Sequence, residues 1–81
     1  MAYVVNIALR PTVITNNGTE TLQFQITPCT FKEEDVSYAT EYLNPITGLF
    51  DDQKSTLYFE SGESLVIDQP YIDTEAQLLL L

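Results

Sequence analysis

Eighty-one residues that include one cysteine and no histidine can form neither an internal disulfide nor a Cys/His zinc site. Hydrophobic residues make up 44 % of the chain, with five tyrosines and four phenylalanines, which excludes a disordered acidic tail despite a formal charge of −9. Up to Phe31 the charges cancel, Arg10 against Glu20; beyond it, every other carboxylate faces only Lys32 and Lys54. Such a surface repels nucleic-acid phosphates and anionic lipid, and its electrostatic complement is a basic protein.

A chain this short keeps little net stability once conformational entropy, ~1.5 kcal/mol per ordered residue, has been met. With disulfide and zinc excluded, oligomerisation is the common staple that remains. No apolar run approaches the ~20 residues of a bilayer span. Met1-Ala2-Tyr3-Val4-Val5 lacks the basic start of a signal peptide, so intracellular synthesis is expected. The sequon at Asn17-Gly18-Thr19 is read as chance on the same ground.

From Tyr3 the odd positions Tyr3, Val5, Ile7, Leu9, Pro11 and Val13 alternate with more polar neighbours, the period of a strand with one buried face. Leu22, Phe24 and Ile26 repeat that pattern against Thr21, Gln23, Gln25 and Thr27. Asn17-Gly18 between them signals a two-residue type I′ hairpin turn. That turn sets Val13 opposite Leu22, Pro11 opposite Phe24 and Leu9 opposite Ile26, whereas a three-residue loop would set Val13 against Thr21. Pro11 cannot donate to a ladder, so its strand lies at an edge or is broken or bulged there.

The stretch 31–43 fits two descriptions. Thr30 and Glu33 have capping-box spacing, and Val36, Ala39 and Leu43 fall on one helical stripe that Pro45 would end. Against that helix, Val36, Tyr38, Thr40 and Tyr42 alternate like a strand, with Asn44 to Gly48 as a turn into Leu49-Phe50. The helix has a slight edge. Asp51 to Lys54 is expected to be an acidic surface loop.

Ser55 to Asp68 forms a second hairpin. A loop of Glu60-Ser61-Gly62 pairs Leu57 with Leu65 and places Gly62 at a left-handed position; a turn at Ser61-Gly62 alone would oppose Glu60 and Glu63. After Gln69-Pro70 the chain ends in Leu78-Leu79-Leu80-Leu81, too apolar to be left in water. The fold class expected is mainly β (β or α+β). A small antiparallel sheet or sandwich is built from hairpins at about 3–27 and 55–68, with at most one short helix around 31–43. Residues 1–81 form one domain, with 69–81 as an extended C-terminal arm or final strand.

Chemistry is scarce. Glu33-Glu34-Asp35, Asp51-Asp52 and Asp73/Glu75 are read as solvated carboxylates, Cys29 as a small core residue without an imidazole to activate it, and Ser61 as lacking a base. No catalytic, cofactor or metal residues are assigned, and an enzyme is not expected. A metal-assisted hydrolase through Asp51 and Asp52 is the least poor catalytic alternative. The expected function is a structural interaction subunit that assembles by strand pairing and an apolar C-terminal arm, a physical type that includes viral capsid decoration proteins and so a place in a virion. Its interface residues are Tyr38, Tyr42, Tyr71, Leu78, Leu79, Leu80 and Leu81, with Tyr58 in the same aromatic set. A protein partner or further copies of the chain are expected, with no nucleic acid, membrane or small-molecule substrate. The alternative is an acidic inhibitor or nucleic-acid mimic, in which Glu33/Asp35 and Asp73/Glu75, ~6.6 Å apart on a strand, imitate phosphates.

Overall fold

The computed structural model describes residues 3–79. It is mainly β: one antiparallel sheet of five strands in the order β2-β1-β5-β4-β3, with a short helix. The strands are β1 (Tyr3–Asn16), β2 (Thr19–Lys32), β3 (Val36–Leu43), β4 (Phe50–Phe59) and β5 (Ser64–Ile67), and the helix is α1 (Tyr71–Leu78).

Both hairpin registers follow from their turns. Val13 faces Leu22, Pro11 faces Phe24 and Leu9 faces Ile26 across β1 and β2. Asn17 and Gly18 both take positive φ, 52° and 78°, as a type I′ turn demands. Leu57 faces Leu65 across β4 and β5, and Gly62 has φ 93° in the three-residue loop.

The β1–β2 hairpin joins the other three strands through a short antiparallel contact with β5. β1 pairs with β5 only at Ala8↔Ile67, with Asp68 N–H donating to Ile7 O beside it. In a flat sheet the edge strands would stand about 19 Å apart. Here the Phe24 ring of β2 meets the Tyr42 ring of β3 edge-on, with centroids 5.7 Å apart. At the other end of β2, Phe31 meets Phe59 of β4 at 5.9 Å. Phe24 and Phe31 leave opposite faces of the ribbon, so the strong twist of a two-stranded hairpin must turn both toward the same body.

The shortness of that contact overturns the expectation of one buried face on β1. Leu9 is buried, but Val5 is 78 % exposed, and Ile7, Pro11 and Val13 are exposed as well. The burial of Tyr3 lies outside the described side chains. A 14-residue strand spans ~47 Å, close to the 48 Å long axis of the molecule, and three shorter strands cover only part of it. Beyond Leu9 the β5 side of β1 is open, which is where Pro11 needs no donor.

Residues 36–43 form β3, not a helix. The alternating Val36, Tyr38, Thr40 and Tyr42 pair with β4, and the capping signal survives only as a 3-10 turn at Glu33–Asp35 without a side-chain cap. Residues 51–54 belong to β4 and are not a loop. Glu41 pairs with Ser55 but Tyr42 pairs with Asp51, so Asp52, Gln53 and Lys54 bulge out between them.

The C-terminal segment is neither an extended arm nor a final strand. After Pro70, Tyr71–Leu78 is helical and packs on β4 and β3; Glu75, Ala76, Gln77 and Leu78 are strong helix formers. Leu80 and Leu81 lie outside the described residues. The buried hydrophobic core comprises Leu9, Tyr42, Leu57 and Ile67.

Candidate protein interface

Tyr38 and Tyr58 sit opposite each other on β3 and β4, and their rings stack at 4.4 Å with 13° between planes. Tyr38 is 55 % exposed, so one face of the stack is offered to solvent. Tyr42 is placed differently: it is buried in this chain's own packing, and its hydroxyl has no hydrogen-bond partner among the described residues. Burial pushes that phenol's pKa up, with Lys54 opposing and Asp51 reinforcing the shift.

Next to Tyr42, Lys54 Nζ lies 5.2 Å from the Phe24 ring centroid and donates to Asp51 Oδ2 at 2.9 Å. The Lys54 hydrogen bond, helped by the Gln53 backbone N–H, holds the Asp51 carboxyl below its ordinary pKa. A cleft of about 390 Å³ beside this group is lined by Thr40, Tyr42, Leu43, Phe50, Tyr58 and Val66.

The β3–β4 tip carries apolar residues that the sequence reading did not single out. Asn44 Oδ1 accepts from the N–H groups of Ile46 and Thr47, and Gly48, at φ 72°, donates to Asn44 O. This turn leaves Leu43, Leu49 and Phe50 at 49, 68 and 63 % exposure, with Leu43 and Phe50 directly opposed. The available signal was a turn followed at once by Leu-Phe.

Helix α1 divides its expected contacts. Tyr71 and Leu78 are half-buried, Leu79 just beyond the helix is 76 % exposed, and Leu80 and Leu81 are not described. Ile72, seven positions before Leu79 and therefore on the same side, is 75 % exposed. The inner side is fixed by polar bonds. Ser55 Oγ donates to Gln69 O at 2.8 Å, and Gln77 Nε2 donates to Glu33 Oε1 at 2.8 Å. Asn6 Nδ2 donates to Gln69 Oε1, which ties the β1–β2 hairpin to the segment before the helix.

Cys29 is half-buried on β2; desolvation raises its thiol pKa, only partly offset by a backbone hydrogen bond from Asn6. Among the described residues no group of three or more His, Cys, Asp or Glu converges as a metal ion would require. No helix among them is long and apolar enough to cross a membrane. Comparison with protein-family models, with curated proteins and with solved structures gave no match.

Proposed function

We infer that this chain is a non-enzymatic structural subunit whose apolar surface is covered by further copies of itself or by another protein in an assembly. One observation carries the reading. Val5, Ile26, Leu49, Phe50, Ile72 and Leu79 are each 63–78 % exposed, while the buried hydrophobic core is Leu9, Tyr42, Leu57 and Ile67. Each such side chain left fully in water forgoes roughly 1.5–3 kcal/mol of burial. Scattered apolar residues are ordinary on a surface, but these are grouped on three elements. Val5 and Ile26 lie on the β1–β2 hairpin, Leu49 and Phe50 at the β3–β4 tip, and Ile72 and Leu79 on the C-terminal helix and its cap.

The long outer edge of β2 supplies a second mode of attachment, because an unpaired strand edge is a template for another strand. Viral capsid decoration proteins are one class that works this way, and the acidic, cofactor-poor composition suits such a role. Sedimentation velocity of the purified chain over a concentration series, beside a chain lacking Leu78–Leu81, tests the reading. Oligomers that weaken on truncation are expected; a monomer at every concentration in both cases contradicts it.

A further inference from the structure

The hairpin that projects from the molecule ends in an edge with an unusual distribution of charge. Between Glu20 and Lys32, β2 has no ionisable acid or base except the Cys29 thiol. Native edge strands are normally guarded by charges along their length, and here the one guard within that span is Pro28.

The side of β2 that faces outward can be deduced. Ile7 N–H is taken by Asn6 Oδ1 and Ile7 O accepts from Asp68, so the polar groups of Ile7 point away from β2. Ile7 is opposite Pro28, hence the even residues of β2 direct their backbone groups to the open edge. A second antiparallel strand can pair there only if even residues face even residues.

We propose that the occupant of this edge is β2 of a second copy, related by a two-fold axis at Ile26; the inference rests on the assembly reading above. In this register Glu20 faces Lys32 of the other copy at one end of the ladder, and Lys32 faces Glu20 at the other. Ile26, 66 % exposed in the single chain, meets its own counterpart. Leu22 faces Thr30, Phe24 faces Pro28, and Gln23 faces Cys29. Each copy forgoes one donor at Pro28. The competing register centred on Gln25 sets Glu20 against Thr30 and loses both charge pairs. The charge distribution of the whole chain favours the same arrangement. Two copies at −9 repel, and the hairpin is the part whose charges cancel up to Phe31.

Cys29 makes the register testable, because it lies at a position where facing Cα atoms approach to about 4.5 Å, within disulfide range. Gln23→Cys, an exposed position, is expected to give a dimer joined by two disulfides under mild oxidation. Thr21→Cys, also exposed, faces Cys29 only in the competing register and is expected to cross-link at least tenfold more slowly. A charge exchange needs no cysteine. Glu20→Lys and Lys32→Glu should each dimerise roughly tenfold more weakly than the parent chain, and an equal mixture should recover its affinity as a heterodimer. Faster cross-linking through Thr21→Cys, or an oligomer that neither cysteine variant cross-links, overturns this pairing and leaves the assembly reading in place. A parent chain that is monomeric at every concentration overturns both.

Discussion

Ser55 Oγ and Thr74 Oγ1 meet at 2.7 Å in the seam between β4 and α1, where both residues are almost completely buried. Each hydroxyl also has a carbonyl acceptor, Gln69 O at 2.8 Å from Ser55 and Pro70 O at 3.4 Å from Thr74, and the shorter Gln69 contact favours Thr74 as the donor within the pair. One hydroxyl pair therefore closes the sheet, the Gln69 carbonyl and the helix into a single joint. Removing Ser55 Oγ takes a donor from Gln69 O and leaves the Thr74 hydroxyl with only its long 3.4 Å bond to Pro70 O, at a cost of about 1–3 kcal/mol. Ser55→Ala should lower the urea midpoint accordingly, and Ser55→Ala with Thr74→Val should cost less than the two single changes together. Additive losses would mean that the two hydroxyls do not act as a pair.

Tyr42 gives the opposite expectation. Its hydroxyl is buried beside Phe24 and has no partner among the described residues, which leaves its desolvation uncompensated by them. Tyr42→Phe keeps the ring contact and removes the orphaned group. It should raise stability by about 1 kcal/mol in chemical denaturation. A loss of stability would reveal that the hydroxyl is satisfied by a bound water or by another molecule.

The Asp51–Lys54 pair produces a defined pH response. Asp51 titrates lower in the folded chain than in the unfolded one, so its contribution is present above the ordinary carboxylate range. It is lost as pH falls through the lower folded value. The pair is partly exposed, and its worth at neutral pH is no more than about 1 kcal/mol. Lys54→Met should move the Asp51 carboxyl upward in an NMR titration, and the stability difference from the parent should vanish in acid. An unmoved titration would contradict the assignment of Lys54 as the main cause.

Salt separates the assembly reading from the acidic-mimic alternative. Apolar docking between like-charged copies should hold or tighten as ionic strength rises, because salt screens their repulsion. A mimic bound in a basic groove should weaken steeply. Ile72→Ser with Leu79→Ser should loosen association while leaving the unfolding free energy in urea within about 0.5 kcal/mol, since both side chains are exposed. A large loss of stability would place these residues inside the fold.

What could be read from the sequence was local. Asn17-Gly18 and Gly62 carry enough turn chemistry to set Val13 against Leu22 and Leu57 against Leu65, with no knowledge of the rest of the molecule. The coverage of each strand is not local. Val5 and Ile7 alternate as core residues do, yet β1 meets β5 only briefly and leaves them in water. The segment 36–43 carried both periods, and pairing with β4 decided for strand. A helical turn is one of the forms the tail's sequence allows, beside an arm or a strand, because the apolar end obscures the helix formers Glu75, Ala76 and Gln77. Of the interface residues expected, Tyr38 and Leu79 are exposed, Tyr71 and Leu78 are half-buried, and Tyr42 is taken into the core. Leu49, Phe50 and Ile72 were overlooked because no sequence period distinguishes an exposed apolar residue from a buried one.

Carbene footprinting of the purified chain across a dilution series puts the central claim to its most direct trial, because it reports the solvent access of individual side chains. Ile26, Phe50, Ile72 and Leu79 should be shielded at high concentration and become labelled together with dissociation, while Leu57 and Ile67 stay protected throughout. Full labelling of those four side chains at every concentration, on a chain that remains folded and soluble, would contradict the account.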